Sequence, residues 1–466
     1  MSKNSKMVRK IFNIFPFLIG SFSSAFLFSG CGANNPTIIN SEEEFYKMEE
    51  KKYYKLGCDL DLYGKSWTPL KVKGFDGDGH TISGLMIGST DYWYHGSGKV
   101  ASIFLSADHV KNVTINRCTL VASEVETLSI VGISVKSYEN VNVQKCVITG
   151  TVSLSPEWHA LSASFLNSNR GPYYCSSISN CSVSDCKLSF TNSTYVYCMI
   201  SGLNDGSREG TKSLSLKNCS IENCEFEVKS EKSDVFYGGI CGVLPSALKD
   251  DSIKTSELKA DNCRVKLTGD TINSGGIFGS CYRYASDSNF KEYEGKNIVS
   301  SNNDFTIKAN TDLMYGGIAG RFDGILNNSL SKNNNASLSN KNTGVVYLGG
   351  VLGNGALTTK YTICDNSVFS TYDLKLDSNK SSFAGGLVGK QNGSLLNSFI
   401  SFNNGAAGFD KTSQVCKEAS LVKNIYTYNG IESSEYIALD NKADFISRLS
   451  LGSEWSINNG DINLNF

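Results

Sequence analysis

Gly238-Gly239-Ile240-Cys241-Gly242 is a phrase to which the chain keeps returning. It recurs as Gly275-Gly276-Ile277-Phe278-Gly279, Gly316-Gly317-Ile318-Ala319-Gly320, Gly349-Gly350-Val351-Leu352-Gly353 and Gly385-Gly386-Leu387-Val388-Gly389. The first glycines, at 238, 275, 316, 349 and 385, are 37, 41, 33 and 36 residues apart. Repetition at that period means a stack of similar units, none of which can bury its apolar face alone.

Working outward from the phrase, each unit parses into three short strands. The first is the glycine phrase or a degenerate form of it: Ala101-Ser102-Ile103-Phe104, Ser129-Ile130-Val131-Gly132, Ser162-Ala163-Ser164-Phe165 and Met199-Ile200-Ser201-Gly202. The second is an alternating segment such as Asn112-Val113-Thr114-Ile115-Asn116, and the third another, such as Cys224-Glu225-Phe226-Glu227-Val228. Period-two alternation with one face buried is the strand signal. The expected fold is all-β, a single parallel β-helix solenoid with short helical caps and nine rungs beginning near 101, 129, 162, 199, 238, 275, 316, 349 and 385. At ~4.8 Å per rung the stack would be on the order of 45 Å long. Such a solenoid also explains how 466 residues can be one domain, because it grows by adding rungs.

Composition narrows the class of partner. The chain is 40% apolar and 19% charged, with a formal net charge of -1, so no electrostatic attraction to nucleic acid is expected. Six prolines against 44 glycines suit strands and tight turns.

Lys3, Lys6, Arg9 and Lys10 precede an apolar run from Ile11 to Phe28, followed by Ser29-Gly30-Cys31. Leu27-Phe28-Ser29-Gly30-Cys31 resembles the lipobox of bacterial lipoproteins, in which the cysteine is acylated after cleavage. The resemblance implies a lipid anchor on Cys31 and an extracytoplasmic place on a bacterial membrane, at the surface or the outer membrane. Gly32, where an aspartate would retain the protein at the inner membrane, favours that destination. Further on, Tyr54-Lys55-Leu56-Gly57-Cys58-Asp59-Leu60-Asp61-Leu62, Trp67-Thr68-Pro69-Leu70 and Phe75-Asp76-Gly77-Asp78-Gly79-His80-Thr81-Ile82-Ser83-Gly84-Leu85 follow one another. Together with the glycine phrases, these stretches are similar to the bacterial right-handed parallel β-helix proteins with GLUG-type repeats, over roughly residues 41–466. That family implies an adhesin-like surface protein or an accessory region of a secreted peptidase. It says little about activity.

The layout expected is a signal peptide and lipobox over 1–31, a tether over 32–40 and an N-terminal cap with opening coils over 41–100. Repeats over 101–408 and a C-terminal cap over 409–466 complete it. Ser41 and Glu44 have capping-box spacing for a short helix carrying Phe45 and Met48. Asp440-Asn441 can cap a second one through Phe445, Ile446 and Leu449, with Trp455 beyond, read as a plug on the end of the stack.

Aligning the rungs puts Cys118, Cys146, Cys186, Cys224 and Cys263 at one position, continued by Asn303 and Asn334. Val113, Val141, Cys181 and Cys219 form a second inward column. Stacked cysteines would lie within disulfide reach, but their Cβ vectors run parallel, so a ladder of buried thiols acting as small hydrophobes is the better reading. The clusters Asn302-Asn303, Asn327-Asn328 and Asn333-Asn334-Asn335 read as turn residues whose amides stack from rung to rung.

Few residues suggest chemistry. His80, His95, His109 and His159 are scattered, no His-Glu-x-x-His occurs, and no Cys-x-x-Cys pair exists, so neither metal nor cofactor is expected. Asp76-Gly77-Asp78-Gly79 lacks the later ligands of a calcium loop and reads as a turn. Asn310-Thr311-Asp312 resembles a polygalacturonase fragment without that family's companion motifs, a coincidence.

The stronger signal is where insertions fall. Leu166–Ser176, Leu203–Ser213, Val243–Glu257 and Ser280–Lys296 follow the first strand of successive rungs and should project from one side. They carry Arg170, Tyr173, Tyr174, Tyr282, Arg283 and Tyr284, and an earlier loop carries Tyr92, Trp93 and Tyr94. Flat rings with polar edges suit a sugar or a host or neighbour-cell surface protein. The expectation is a non-enzymatic, lipid-anchored surface protein that binds a glycan or protein through side loops. The alternative, a polysaccharide lyase or glycoside hydrolase, would rest on analogy of fold.

Overall fold

The computed structural model describes residues 35–93, 97–123, 125–152, 161–168, 175–192, 198–203, 213–230, 232–244, 252–281, 293–355, 357–365, 367–371, 383–401, 421–428, 437–449, 451–459 and 461–466. Pro36–Phe466 forms one compact unit, an all-β parallel β-helix solenoid. Among the described residues no helix is long and apolar enough to cross a membrane.

One rung runs Val235–Gly238, Cys241–Leu244, Ile253–Asp261, Arg264–Gly269, which makes four strands where the sequence suggested three. The difference lies in the glycine phrase, which is a corner and not a strand. Gly238 closes the first strand, Gly239-Ile240 bend, and Cys241 opens the second. The corner is too tight for side chains. A Cβ on Gly238 would strike the Cys241 carbonyl oxygen, and one on Gly279 would lie 2.7 Å from the backbone oxygen of Tyr237. A Cβ on Gly317 would strike Ser331 Oγ across the core and the Gly350 carbonyl oxygen of the next rung.

First-position strands stack as Ser97–Ala101, Thr127–Ser129, Leu161–Ser164, Cys198–Ser201, Val235–Gly238, Ile272–Gly275, Leu313–Gly316, Val346–Gly349 and Phe383–Gly385, all mutually parallel, which gives the nine rungs. Within that sheet Gly238, Gly275, Gly316, Gly349 and Gly385 pair in unbroken register. Before the first rung, Ser89–Trp93 pairs antiparallel with Ser97–Ala101 and covers the sheet's open edge. Thr37–Ile39, inside the stretch expected to be a tether, already pairs parallel with Tyr53–Leu56, so the stack begins there. The first helix, Glu42–Tyr46, is capped as its spacing suggests: Ser41 Oγ accepts from the Glu44 amide at 3.2 Å, and buried Phe45 packs 4.6 Å from the Trp67 ring.

The largest sheet is built from third-position strands such as Ile253–Asp261 and Tyr293–Ser301. Leu258 and Ala260 face the core while Lys259 between them faces out. Asparagines hold its turns. Asn112, Asn140, Asn180 and Asn218 all have φ near 50° (51° to 53°), a left-handed conformation that asparagine tolerates. Their amides pass hydrogen bonds along the stack, Asn140 to Asn112 at 2.9 Å and Asn218 to Asn180 at 2.8 Å.

The cysteine column sits at the corner between third and fourth strands, and its role exceeds packing. The Cys118 amide donates to Cys146 Sγ at 3.3 Å, Cys146 to Cys186 Sγ at 3.3 Å, and Cys186 to Cys224 Sγ at 3.4 Å. The Cys263 amide donates to Asn303 Oδ1 at 2.8 Å, Asn303 to Asn334 Oδ1 at 3.1 Å, and Asn334 to Ser367 Oγ at 3.2 Å. Each corner leaves one buried N–H off the ladder, and the side chain of the next rung accepts it. This requirement explains why cysteine, asparagine and serine interchange here. The twelve cysteines whose side chains are described are free, and burial pushes three of the thiols up, Cys175 and Cys364 to about 12 and Cys219 to about 11, so these three stay protonated.

The C-terminal segment is a correction. Its helix, Ala443–Arg448, and the hairpin Trp455–Asn458 with Asp461–Leu464 do not simply plug the end. They lie along the flank, where Phe445, Trp455, Ile462 and Leu464 pack on the outward column Val299, Leu330, Ile363, Phe399 and Tyr426. Buried Asp365 fastens this strap, with Oδ1 on Lys442 Nζ at 2.7 Å and Oδ2 accepting from the Ile462 amide at 3.4 Å.

Candidate functional site

Two regions of the solenoid are able to carry function. The first is the corner between second and third strands, where the inserts leave. Val243 and Leu244 pair with Ser280 and Cys281 on one side of that corner. Ser215, Lys254 and Glu294 stack on the other. The bases of segments 245–251 and 282–292 are thereby set next to one another. The inserts are shorter than the sequence suggested, because Ile253–Glu257 and Tyr293–Lys296 already belong to third-position strands. Of the candidate ligand residues, Tyr92 and Trp93 lie in the backbone of the strand Ser89–Trp93. Tyr94, Arg170, Tyr173, Tyr174, Tyr282, Arg283, Tyr284 and the candidate anchor Cys31 lie outside the described residues.

The second region is a cleft of about 390 Å³ on the flank, where the strap's last residues leave the large sheet. Its apolar floor is Val299, Leu330 and Leu464, and the half-exposed Phe466 ring stands beside them. One wall is Lys259 with Asp261, Ser301 and Asn302; the other is Lys332 with Asn463 and Asn465. Lys259 Nζ lies 3.2 Å from both Glu222 Oε1 and Asp261 Oδ2. Asp261 Oδ1 accepts from Ser301 Oγ and Asn302 Nδ2, each at 2.8 Å. Lys332 Nζ lies 3.1 Å from Asp461 Oδ2 and from Asn463 Oδ1. Partial burial pushes Asp261 toward the neutral acid, but the Asn302, Ser301 and Lys259 donors outweigh it and hold the carboxyl below its ordinary range. Burial likewise works against the Lys259 charge, and Asp261 with Glu222 more than restores it, so the ammonium sits above its usual range.

The cleft escaped the sequence reading, yet a signal for it existed. In register, the outward column runs Thr114, Asn142, Ser182, Ser220, Lys259 and then Val299, Leu330, Ile363, Phe399, Tyr426. An outer face that turns from polar to apolar at Val299 announces a cover, and the cleft opens at the turning point.

The remaining candidates are structural. Asp76 Oδ1 accepts from the Asp78 amide at 2.9 Å and Asn112 Nδ2 at 3.1 Å, a turn closed on itself, while Lys111 and Lys55 pair with the two carboxylates. Asp312 Oδ1 accepts from the Val345 amide at 2.8 Å and braces a corner. His80 sits 3.3 Å from Asp59, and half-buried His109 stacks on Tyr53 with centroids 5.6 Å apart, burial lowering its pKa. His95 and His159 lie outside the described residues. Among the described residues no group of three or more His, Cys, Asp or Glu is arranged to hold a metal.

Fold and flank define a solenoid with a strapped side and, at another corner, stacked loop bases. No protein-family model matches the chain, and no curated protein sequence does. Among solved structures it is similar to the "crystal structure of a putative immunoglobulin A1 protease from Bacteroides ovatus", at 14% identity over 93% of each chain. The TM-score is 0.23, too low for that likeness to carry an argument.

Proposed function

We propose that the chain is an exported, lipid-anchored surface protein of non-enzymatic type, whose solenoid holds side loops out to bind a glycan or another protein. The observation that carries this reading is the stacked corner: Leu244 and Cys281 end paired strands, so successive inserts start from neighbouring points on one edge. Loops raised in a row from a rigid backbone make a continuous contact surface, the usual use of solenoid inserts. The anchor rests on the lipobox-like Leu27-Phe28-Ser29-Gly30-Cys31 alone.

Carbohydrate cleavage is the weaker reading. A general acid needs a carboxyl that stays protonated near neutrality. The described carboxyls with a resolved shift, Asp76, Glu227 and Asp261, are all shifted the other way.

The test is a glycan array and a surface-protein pull-down with the full chain, together with metabolic labelling by a radioactive fatty acid. Label lost in Cys31→Ala, and a bound ligand lost in Tyr282→Ala or Tyr173→Ala, are the expected results. New reducing ends or unsaturated uronate formed from a polysaccharide by the wild-type chain would overturn the non-enzymatic reading.

A further inference from the structure

We propose that the flank cleft between the strap and the large sheet binds a neutral saccharide ring, independently of the side loops. Its volume of about 390 Å³ lies within the range of small-ligand sites. Three features select the ligand class.

The first is charge. Both ammonium groups that reach the cleft are already matched, Lys259 by Asp261 and Glu222, Lys332 by Asp461. An anion or cation entering would compete with a partner already in place and gain little. A hydroxyl does not compete in this way, because it accepts from the ammonium while donating to the neighbouring carboxylate. Vicinal hydroxyls can therefore use both halves of each pair at once.

The second is the floor. Val299, Leu330 and Leu464 give an apolar patch, and Phe466, 49% exposed, offers a ring face at its side. A pyranose has a C–H face as well as a hydroxyl edge, so it can cover the patch and meet the walls together. A fully polar ligand would leave the patch wet, and a fully apolar one would desolvate the ion pairs without replacing their hydrogen bonds.

The third is preorganisation. Asp261 is fixed by Ser301 and Asn302 at 2.8 Å each, and Asn463 by Lys332 at 3.1 Å, so the polar walls are set before a ligand arrives.

The test is calorimetric titration of the full chain with neutral hexasaccharides of glucan, xylan, mannan and N-acetylglucosamine type, with polygalacturonate as the anionic comparison. At least one neutral hexasaccharide should bind. Asp261→Asn, Lys259→Met and Phe466→Ala should each weaken it by about tenfold or more, while Glu227→Gln, on the outer face of another sheet, leaves it unchanged. Phe466→Ala removes a half-exposed ring, so it decides the matter even if a wall variant misfolds. Binding of none of the neutral sugars, binding of polygalacturonate alone, or neutral-sugar affinity untouched by Phe466→Ala would each overturn the proposal.

Discussion

The first five rungs and the last four use one backbone in two ways. In the early rungs the inward corner column is cysteine, from Cys118 to Cys263, and the outward column of the large sheet is polar, from Thr114 to Lys259. In the later rungs the corner column becomes Asn303, Asn334 and Ser367, and the outward column becomes Val299, Leu330, Ile363 and Phe399. Both columns change between the same two rungs. The early part of the sheet is wet on its outer face. The later part is buried on both, with the strap outside and a hydrogen-bonded network inside, in which Asn334 Nδ2 reaches Ser300 and Ser331 Oγ at 3.2 and 3.0 Å. What stays constant is the need of each corner amide for a buried acceptor. What varies is which atom supplies it, and whether the outer face meets water or chain.

The contrast can be broken most severely at the strap. Lys442→Met leaves the Asp365 carboxylate buried without its ion-pair partner, and breaking such a pair costs roughly 3–5 kcal/mol. Hydrogen exchange should accelerate across 437–466 and along Thr358–Asp365, while rungs one to four keep wild-type protection. Uniform loss of protection along the whole stack would contradict a strap local to the later rungs.

Next in size is the glycine corner. Gly317→Ala puts a methyl group against Ser331 Oγ and the Gly350 carbonyl oxygen, and overpacking of this kind costs about 1–3 kcal/mol. Thermal unfolding should shift down accordingly. An unchanged midpoint would mean that the corner is looser than its contacts imply.

The corner acceptor comes third. Cys146→Val removes the sulfur that accepts from the Cys118 amide, leaving a buried donor at about 1–3 kcal/mol, whereas Cys146→Ser keeps an acceptor and should lose clearly less. Equal losses for the two variants in urea titrations would reduce the column to plain packing.

The smallest effect is on acid stability. The folded-state pKa of Asp261 is lowered, so its contribution is present above the unfolded carboxyl value of about 3.9 and is lost as pH falls through the folded value. Asp261→Asn should flatten that part of the acid limb of a stability–pH curve, the variant lacking at neutral pH the same small contribution that the wild type loses in acid. A steeper acid limb in the variant would show the sign to be wrong.

Local rules carried the sequence reading a long way. The five glycine phrases and their four degenerate forms set the period and the rung count, alternation put Cys186 and Cys219 inside, and Ser41 with Glu44 marked a helix that forms as expected. The asparagine turns were equally legible, because a left-handed residue at Asn302 or Asn333 is a property of that residue and its neighbours. The corner nature of the glycine phrase was not legible. It depends on atoms brought together from other strands, such as Ser331 Oγ opposite Gly317 and the Tyr237 backbone beside Gly279.

The repeating unit, its approximate length and the inward faces are already written in the residues, since periodicity acts within one rung and its nearest copies. The return of Ala443–Arg448 and the hairpin Trp455–Asn458 with Asp461–Leu464 along the flank, the meeting of Asp365 with Lys442, and the cleft beside Lys259 arise only in the folded stack. Those outcomes depend on which distant surfaces can cover one another's apolar area. That is a property of the assembled stack, and no single rung encodes it.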